Sequence, residues 1–385
     1  MSIVAVDMFC GAGGVTCGLS RAGIRVALGV DNREECRLTY ALNNSPAKFL
    51  REDIRNLTGR KLLSHVSGIE EDDYLLLAAC APCQPFSQHN RRGRDASQRT
   101  VLCCVENIVG ELCPDFLFLE NVPGIQNVSG FSAFRRLLHT LGMLKYKVKF
   151  QTVDARDYGV PQTRRRLVLL ASVYNDVEWP MPTHGNDAPL SPFVTVRDAI
   201  SRFPQLNAGE SHPTQANHVA ARLSLRNLRR MQLTKADGGS RMEWPSEMHL
   251  KCHRTHDGHP DVYGRLRWDA PAPTLTTKCT SLSNGRYGHP EQDRAISVRE
   301  AAALQGFDDN YIFYGMIQDA TRQVGNAVPP ILTERFGLVF IEAVNGLRGK
   351  TKRVPWRRFV SAGRAAKPRS RFPFAPSKKV GTQAL

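Results

Sequence analysis

Short apolar runs, separated by polar stretches of helical period, fill the first half of the chain. Ile3–Met8, Val26–Asp31, Lys48–Glu52, Tyr74–Cys80, Asp115–Leu119, Lys147–Val153 and Leu167–Ala171 each read as a strand. Runs this short and this apolar suit strands covered on both faces. Between them, Glu34–Asn43, Arg99–Leu112 and Phe131–Leu141 carry apolar residues at helical spacing. Regular alternation of strand and helix predicts an α/β fold with a mostly parallel sheet and helices on both faces.

From about Trp179 the pattern loosens. Proline, glycine and histidine become frequent and the periodicity breaks into short pieces, which predicts an irregular second domain over 179–295. Within it a helix is expected to place Arg222, Arg226, Arg229 and Arg230 on one face, opposite Leu225 and Leu228. That stripe reads equally well as a phosphate-binding surface and as a solvated face. Regular structure returns at Ser297-Val298-Arg299-Glu300, a capping box that opens a short helix over Val298–Gln305. After Pro329-Pro330 a longer apolar helix is expected from Ile331 to about Val344. The first domain therefore comprises 1–178 and 296–347.

Charge adds a partner to this picture. The 385 residues carry a formal net charge of +16, which points to a polyanion, most simply nucleic acid. Much of the excess lies between Ala343 and Leu385, a stretch with twelve Lys or Arg and no acid. With prolines at 355, 368, 373 and 376, residues 348–385 read as a disordered basic tail that either holds phosphates or only aids solubility. Ten scattered cysteines favour reduced thiols in a cytoplasmic setting. No apolar run reaches membrane-spanning length, so a signal peptide, an anchor and a membrane partner are not expected.

Candidate chemistry gathers at the strand ends. Asp7-Met8-Phe9-Cys10-Gly11-Ala12-Gly13-Gly14 follows the first strand, and its glycines let a ligand approach the backbone at a helix start. Neither a P-loop nor GxGxxG fits it. Asp31 ends the second strand, where an acid can bind ribose hydroxyls, and Asp53 ends the third, within reach of an adenine amino group. Together these three features point to a nucleoside cofactor. Cys83 lies just past the fourth strand in Pro82-Cys83-Gln84-Pro85-Phe86-Ser87, where two prolines stiffen the loop and aim the thiol. Glu120-Asn121-Val122 and Gln162-Thr163-Arg164-Arg165-Arg166 reach the same sheet edge. Cys252-His253, His256 and His259 do not have a usual structural zinc spacing, so no metal is expected.

In this order, the Phe9-x-Gly11-x-Gly13-Gly14, Pro82-Cys83-Gln84-Pro85, Glu120-Asn121-Val122, Gln162-x-Arg164-x-Arg166, Arg299-Glu300, Leu304-Gln305-Gly306-Phe307 and Gly325-Asn326-Ala327-Val328 segments resemble the DNA (cytosine-5) methyltransferases. The resemblance covers nearly all of residues 3–345. It implies a Rossmann-like class I sheet that binds S-adenosyl-L-methionine, with 179–295 as an inserted target-recognition domain in which Thr274-Leu275 is similar to the family's Thr-Leu pair. Cys83 would add as a thiolate to C6 of a flipped cytosine, because C5 is a poor nucleophile until that bond forms. Glu120 would hold N3 and the exocyclic amine, and Arg166, with Arg164 behind it, would hold O2 and order the site. The cofactor would lie over Phe9, Gly11 and Gly13, with Asp31 on the ribose, Asp53 and Ile54 near the adenine, and Asn326, Ala327 and Val328 completing the pocket. Ser87, Arg226, Arg229, Arg230 and Thr274 are the expected DNA contacts.

The expectation is a monomeric, bacterial or phage-type enzyme acting on double-stranded DNA, with a cognate restriction endonuclease as a companion such enzymes can have. Two rivals stand beside it. One is a transfer RNA methyltransferase on the same scaffold, although its Cys-Phe-Thr segment is not visible and the nearest cysteine reads Lys278-Cys279-Thr280. The other is a non-catalytic DNA-binding module, for which an intact Cys83, Glu120 and Arg166 would be unnecessary.

Overall fold

The computed structural model describes residues 2–81, 96–125, 133–175, 177–250, 261–347 and 356–361. Its centre is a seven-stranded sheet: β1 (Ile3–Met8), β2 (Arg25–Asp31), β3 (Lys48–Arg51), β4 (Tyr74–Ala79), β5 (Phe116–Asn121), β6 (Lys147–Asp154) and β7 (Arg165–Ser172). The order across the sheet is β3-β2-β1-β4-β5-β7-β6. β1 to β5 run parallel, whereas β7 lies antiparallel to both β5 and β6. Only ten residues separate β6 from β7, too few for a crossover helix, so the reversal is forced.

Every residue of β1, β4 and β5 is buried, and alternate residues feed two separate cores. Val4, Val6 and Met8 face one layer with Leu75, Leu77, Leu117 and Leu119, and Ile3 and Ala5 face the other with Phe116 and Phe118. The first layer is covered by α3 (Gly59–Ser64), α4 (Ala96–Leu112) and α5 (Ala133–Met143), through residues such as Leu62, Val105, Val109 and Leu137. α1 (Gly14–Arg21), which supplies Val15 and Leu19, covers the second, while α2 (Arg37–Asn43) links β2 to β3.

Residues from 196 onward build a second lobe. α6 (Val196–Ile200) and Leu266, Trp268 and Leu275 share one core with α8 (Val298–Leu304) and α9 (Ile317–Asn326), so this lobe draws on residues on both sides of Ser297. The capping box at Ser297 and Glu300 is present, and Arg294 clamps the buried Glu300 carboxylate with two bonds of 2.7 Å. α10 (Pro330–Leu347) then returns to the sheet, where Phe336 and Phe340 pack on Phe118 and Phe116.

Two expectations fail here. α7 (Leu225–Leu233) starts after Arg222, so that residue is off the helix. On α7, Leu225 is exposed while Arg230 is buried, donating to the Met248 carbonyl and the Asn227 side chain beneath the Trp244 and Tyr263 rings. The aromatic cluster accepts the flat guanidinium, which leaves only Arg226 and Arg229 on the outer face. The second failure concerns the tail. Trp356 is fully buried, and α11 (Arg357–Ser361) docks beneath the sheet. There the indole Nε1 donates to Asp115 at 2.7 Å, Arg357 donates to the Asp73 carbonyl at 2.9 Å, and Phe359 stacks under Arg60. Asp115, buried just before β5, accepts from Leu75 N–H and the Tyr174 hydroxyl, and the segment adds the Trp356 indole donor and the Arg357 guanidinium at 3.6 Å.

Candidate active site

Parallel strands place their carboxyl ends along one edge, and the open cavity there has a volume of about 460 Å³. Phe9, Gly11, Asp31, Asp53, Ile54, Asn326, Ala327 and Val328 all line it, as do Glu120, Arg164 and Arg166. Residues more than three hundred positions apart thus share one wall. Gly13 lies behind it as the N-cap of α1, with φ of 94°, a conformation that a side chain would strain. Gly14 permits a close approach, since a Cβ there would stand 2.3 Å from the Val328 carbonyl oxygen.

The Asp31 end of the cavity is preset by hydrogen bonds. Gly11 N–H donates to Asp31 Oδ2 at 2.9 Å, and Arg33 N–H donates to Oδ1 at 2.9 Å. Asp53 accepts three donors from Arg55, which hold its carboxyl down at about 2. Tyr311, from the second lobe, props the glycine turn by donating to the Ala12 carbonyl at 2.5 Å and accepting from Asn44 at 2.9 Å. Beneath the turn, Asp7 is wholly buried and its carboxyl is raised by desolvation to about 7.

Glu120 and Arg166 meet at the other end. They sit on neighbouring strands β5 and β7, and Arg166 Nε lies 3.0 Å from Glu120 Oε1 with both side chains largely buried. Asn121, next along β5, donates to the Ala81 carbonyl at 3.3 Å, tying the end of β4 to the end of β5 where the Pro-Cys loop departs. Arg164 is engaged within the protein. Its guanidinium is taken up by the carbonyls of Leu275, Gly325 and Ala327, and burial lowers it to about 9. Thr274 is likewise turned inward, its hydroxyl donating to the Thr163 carbonyl at 2.7 Å. Cys83 and Ser87 lie outside the described residues, as do Cys252, His253, His256 and His259.

Asn121, Arg33, Tyr311 and Gln323 were not singled out from the sequence. Of these only Asn121 carried a signal, its place beside Glu120. Gln323 lines the cavity from α9, one turn before Asn326. Its Nε2 donates to the carbonyls of Tyr314 and Glu35, at 2.9 and 3.3 Å, while its buried Oε1 has no donor among the described residues. An unpaired buried acceptor carries a desolvation cost.

A family model described as C-5 cytosine-specific DNA methylase matches residues 3–342. The Type II methylase M.HgiDII of Herpetosiphon aurantiacus is 38% identical over 333 residues, covering 85% of this chain and 92% of the relative. The Type II methyltransferase M1.HphI of Haemophilus parahaemolyticus is 32% identical, covering 87% of this chain and 85% of its own. Among solved structures, one described as a DNA modification methyltransferase encoded within an E. coli prophage superposes with a TM-score of 0.69. It is 23% identical and covers 89% of this chain and all of its own, a likeness of fold. The S. pombe Dnmt2 methyltransferase gives a TM-score of 0.57 at 17% identity, over 89% of this chain and 99% of its own.

Proposed function

The chain belongs to the C-5 cytosine-specific DNA methylase family, and from that premise we propose that it methylates C5 of cytosine within a specific sequence of double-stranded DNA, with S-adenosylmethionine as cofactor. The observation that carries this reading is the Glu120–Arg166 pair, 3.0 Å apart on the rim of the cavity that Asp31, Asp53 and Asn326 also line. Two halves of one reaction, a base-binding pair and a nucleoside site, share a single opening.

The residues present suit the cofactor. Asp31 would take the ribose, Ile54 and Asp53 the adenine side, and Asn326, Ala327 and Val328 the wall over the glycine turn. When bound, S-adenosylmethionine supplies an electrophilic methyl group. The chain supplies the rest. The Cys83 thiolate forms a bond to C6, which moves electron density to C5, and once C5 carries the methyl group, loss of the C5 proton to a base and expulsion of the Cys83 thiolate from C6 restore the ring. Glu120 accepts from the cytosine amino group and stabilises charge developing at N3, and Arg166 fixes the orientation of Glu120. A base inside a duplex cannot reach this depth, so the target must leave the stack. Arg226 and Arg229 on the exposed face of α7, with Ser87 four residues after Cys83 in sequence, remain the proposed phosphate and DNA contacts.

The transfer RNA reading gains nothing from Cys279. That thiol is fully buried and burial pushes it up to about 12, so it is not poised to react. A cognate restriction endonuclease acting on the same site is proposed on the strength of relatives described as Type II methylases. Bisulfite sequencing of DNA from cells expressing the chain tests the whole reading. Protected cytosines within one recurring sequence are expected, and conversion of every cytosine would overturn it.

A further inference from the structure

Arg164 joins two segments that sequence keeps far apart. Nη1 donates to the Leu275 carbonyl at 3.1 Å, and Nη2 donates to the carbonyls of Ala327 and Gly325 at 3.2 and 3.4 Å. The first belongs to the recognition region and the other two to the segment that walls the cofactor cavity. A second route runs between the same ends. Gln162 Oε1 accepts from Leu275 N–H at 2.9 Å, Gln162 Nε2 donates to Gln305 Oε1 at 2.6 Å, and Gln305 Nε2 donates to the Ala327 carbonyl. The segments also touch directly, since a Cβ on Gly325 would stand 2.2 Å from the Thr276 carbonyl oxygen.

No carboxylate forms an ion pair with Arg164 among the described residues. A buried cation held by carbonyls alone keeps its low energy only while all of them stay in place. Only the planar arginine fork spans three such acceptors, and a lysine ammonium on a shorter reach does not. Movement of residues 274–276 must therefore move 325–327, or break the set.

We propose that Arg164 is a positioning residue that couples target recognition to cofactor binding. Duplex DNA seated against the recognition region holds Leu275 and Thr276, and through Arg164 the 325–327 wall, in the register seen here and so tightens the grip on cofactor. By linkage, bound cofactor tightens DNA by the same factor. The proposal rests on the reading above, in which the cavity takes S-adenosylmethionine and the recognition region takes DNA.

The test is calorimetric titration of the full chain with S-adenosylhomocysteine, alone and with saturating duplex bearing the sequence that bisulfite mapping returns. For the unaltered chain, duplex should tighten binding on the order of tenfold. In Arg164→Lys that ratio should fall to about one, while binding of S-adenosylhomocysteine alone changes much less. A merely structural role would lower both affinities together and preserve the ratio, and that result overturns the proposal, as does an unaltered chain with no ratio to lose. Should Arg164→Lys melt far below the parent, Thr274→Val decides. It cuts the Thr163 tie at the recognition end without touching the buried charge, so a reduced ratio supports the coupling and an unchanged one overturns it. An unaltered chain that binds no S-adenosylhomocysteine would strike the cofactor reading itself, and the coupling with it.

Discussion

Glu120 is poised by a cation rather than by water, because Arg166 sits 3.0 Å away and solvent barely reaches either side chain. Glu120→Gln keeps the shape but loses the charge that supports N3, so turnover should drop about a hundredfold. Binding of S-adenosylhomocysteine should barely change, and a parallel loss of binding would place Glu120 in the cofactor site instead. Two buried groups give opposite pH signatures. His289 accepts backbone N–H groups of Glu291 and Gln292 through Nδ1, and burial lowers it to about 4 from the ordinary 6.5. Its folded value is depressed, so its stabilisation is complete above pH 6.5 and is lost as pH falls toward 4. Asp7 is raised, so its share is complete below about pH 4 and is lost as pH rises through about 7. Thermal melts from pH 4.5 to 8 should show His289→Gln gaining on the parent toward acid and Asp7→Asn gaining toward alkali. Parallel curves would remove both groups as titrating contributors.

At the scale of elements, the consequential piece is α11 with the indole that precedes it. Trp356→Ala opens a cavity in the sheet's lower layer and removes a donor from Asp115, a loss of roughly 3–5 kcal/mol. A chain ended after Ser361 should melt with the parent, whereas one ended after Leu347 should melt well below it. Equal melting of the two truncations would mean that the segment contributes nothing to the core. α7 divides its arginines in the same spirit. Arg229→Ala should weaken DNA binding without moving the melt, and Arg230→Ala should lower the melt, because one side chain faces solvent and the other lies under Trp244.

At the scale of the whole molecule, catalysis and electrostatic attachment separate. Duplex carrying 5-fluorocytosine in the recognised sequence should become covalently trapped, and only when S-adenosylmethionine is present. Attack at C6 and methyl transfer can both proceed on that base, but the final release needs a proton at C5 that fluorine has replaced. Peptide mapping should place the adduct on the Ala81–Ser87 loop, and Cys83→Ser should give no band. Trapping on fluorinated transfer RNA alone would transfer the assignment to the RNA reading. A phosphate-binding role for the basic residues after Ser361 has its own readout. Ending the chain there should lower the slope of log affinity against log salt by about 0.9 for each phosphate that the tail had neutralised. An unchanged slope would reduce the tail to a solubilising role.

Apolar runs alone place all seven strands to within a residue or two, from Ile3–Met8 to β7. For the buried β1, β4 and β5 the reason is physical: strands covered on both faces cannot tolerate polar residues, so burial is written directly into the local pattern, whereas the edge strands β3 and β6 are partly exposed and carry charged residues. Strand-end acids such as Asp31 and Glu120 were legible for a related reason, since the end of a parallel strand is where a side chain first meets a cavity. Long-range partners were not legible. Gln323 looks like any helical glutamine until Tyr314 and Glu35 take its amide and leave its oxygen without a donor among the described residues. Arg164 and Arg230 look like solvent-facing cations because a linear pattern counts charges and not the carbonyls or rings that will surround them. Trp356 sits in a basic, proline-marked stretch whose composition argues for disorder, yet its ring is buried and its indole donates to the Asp115 carboxylate, 241 residues away. Local periodicity follows from which face of an element is buried, whereas satisfaction of buried polar groups depends on what the rest of the chain brings to them, and only the tertiary structure decides that.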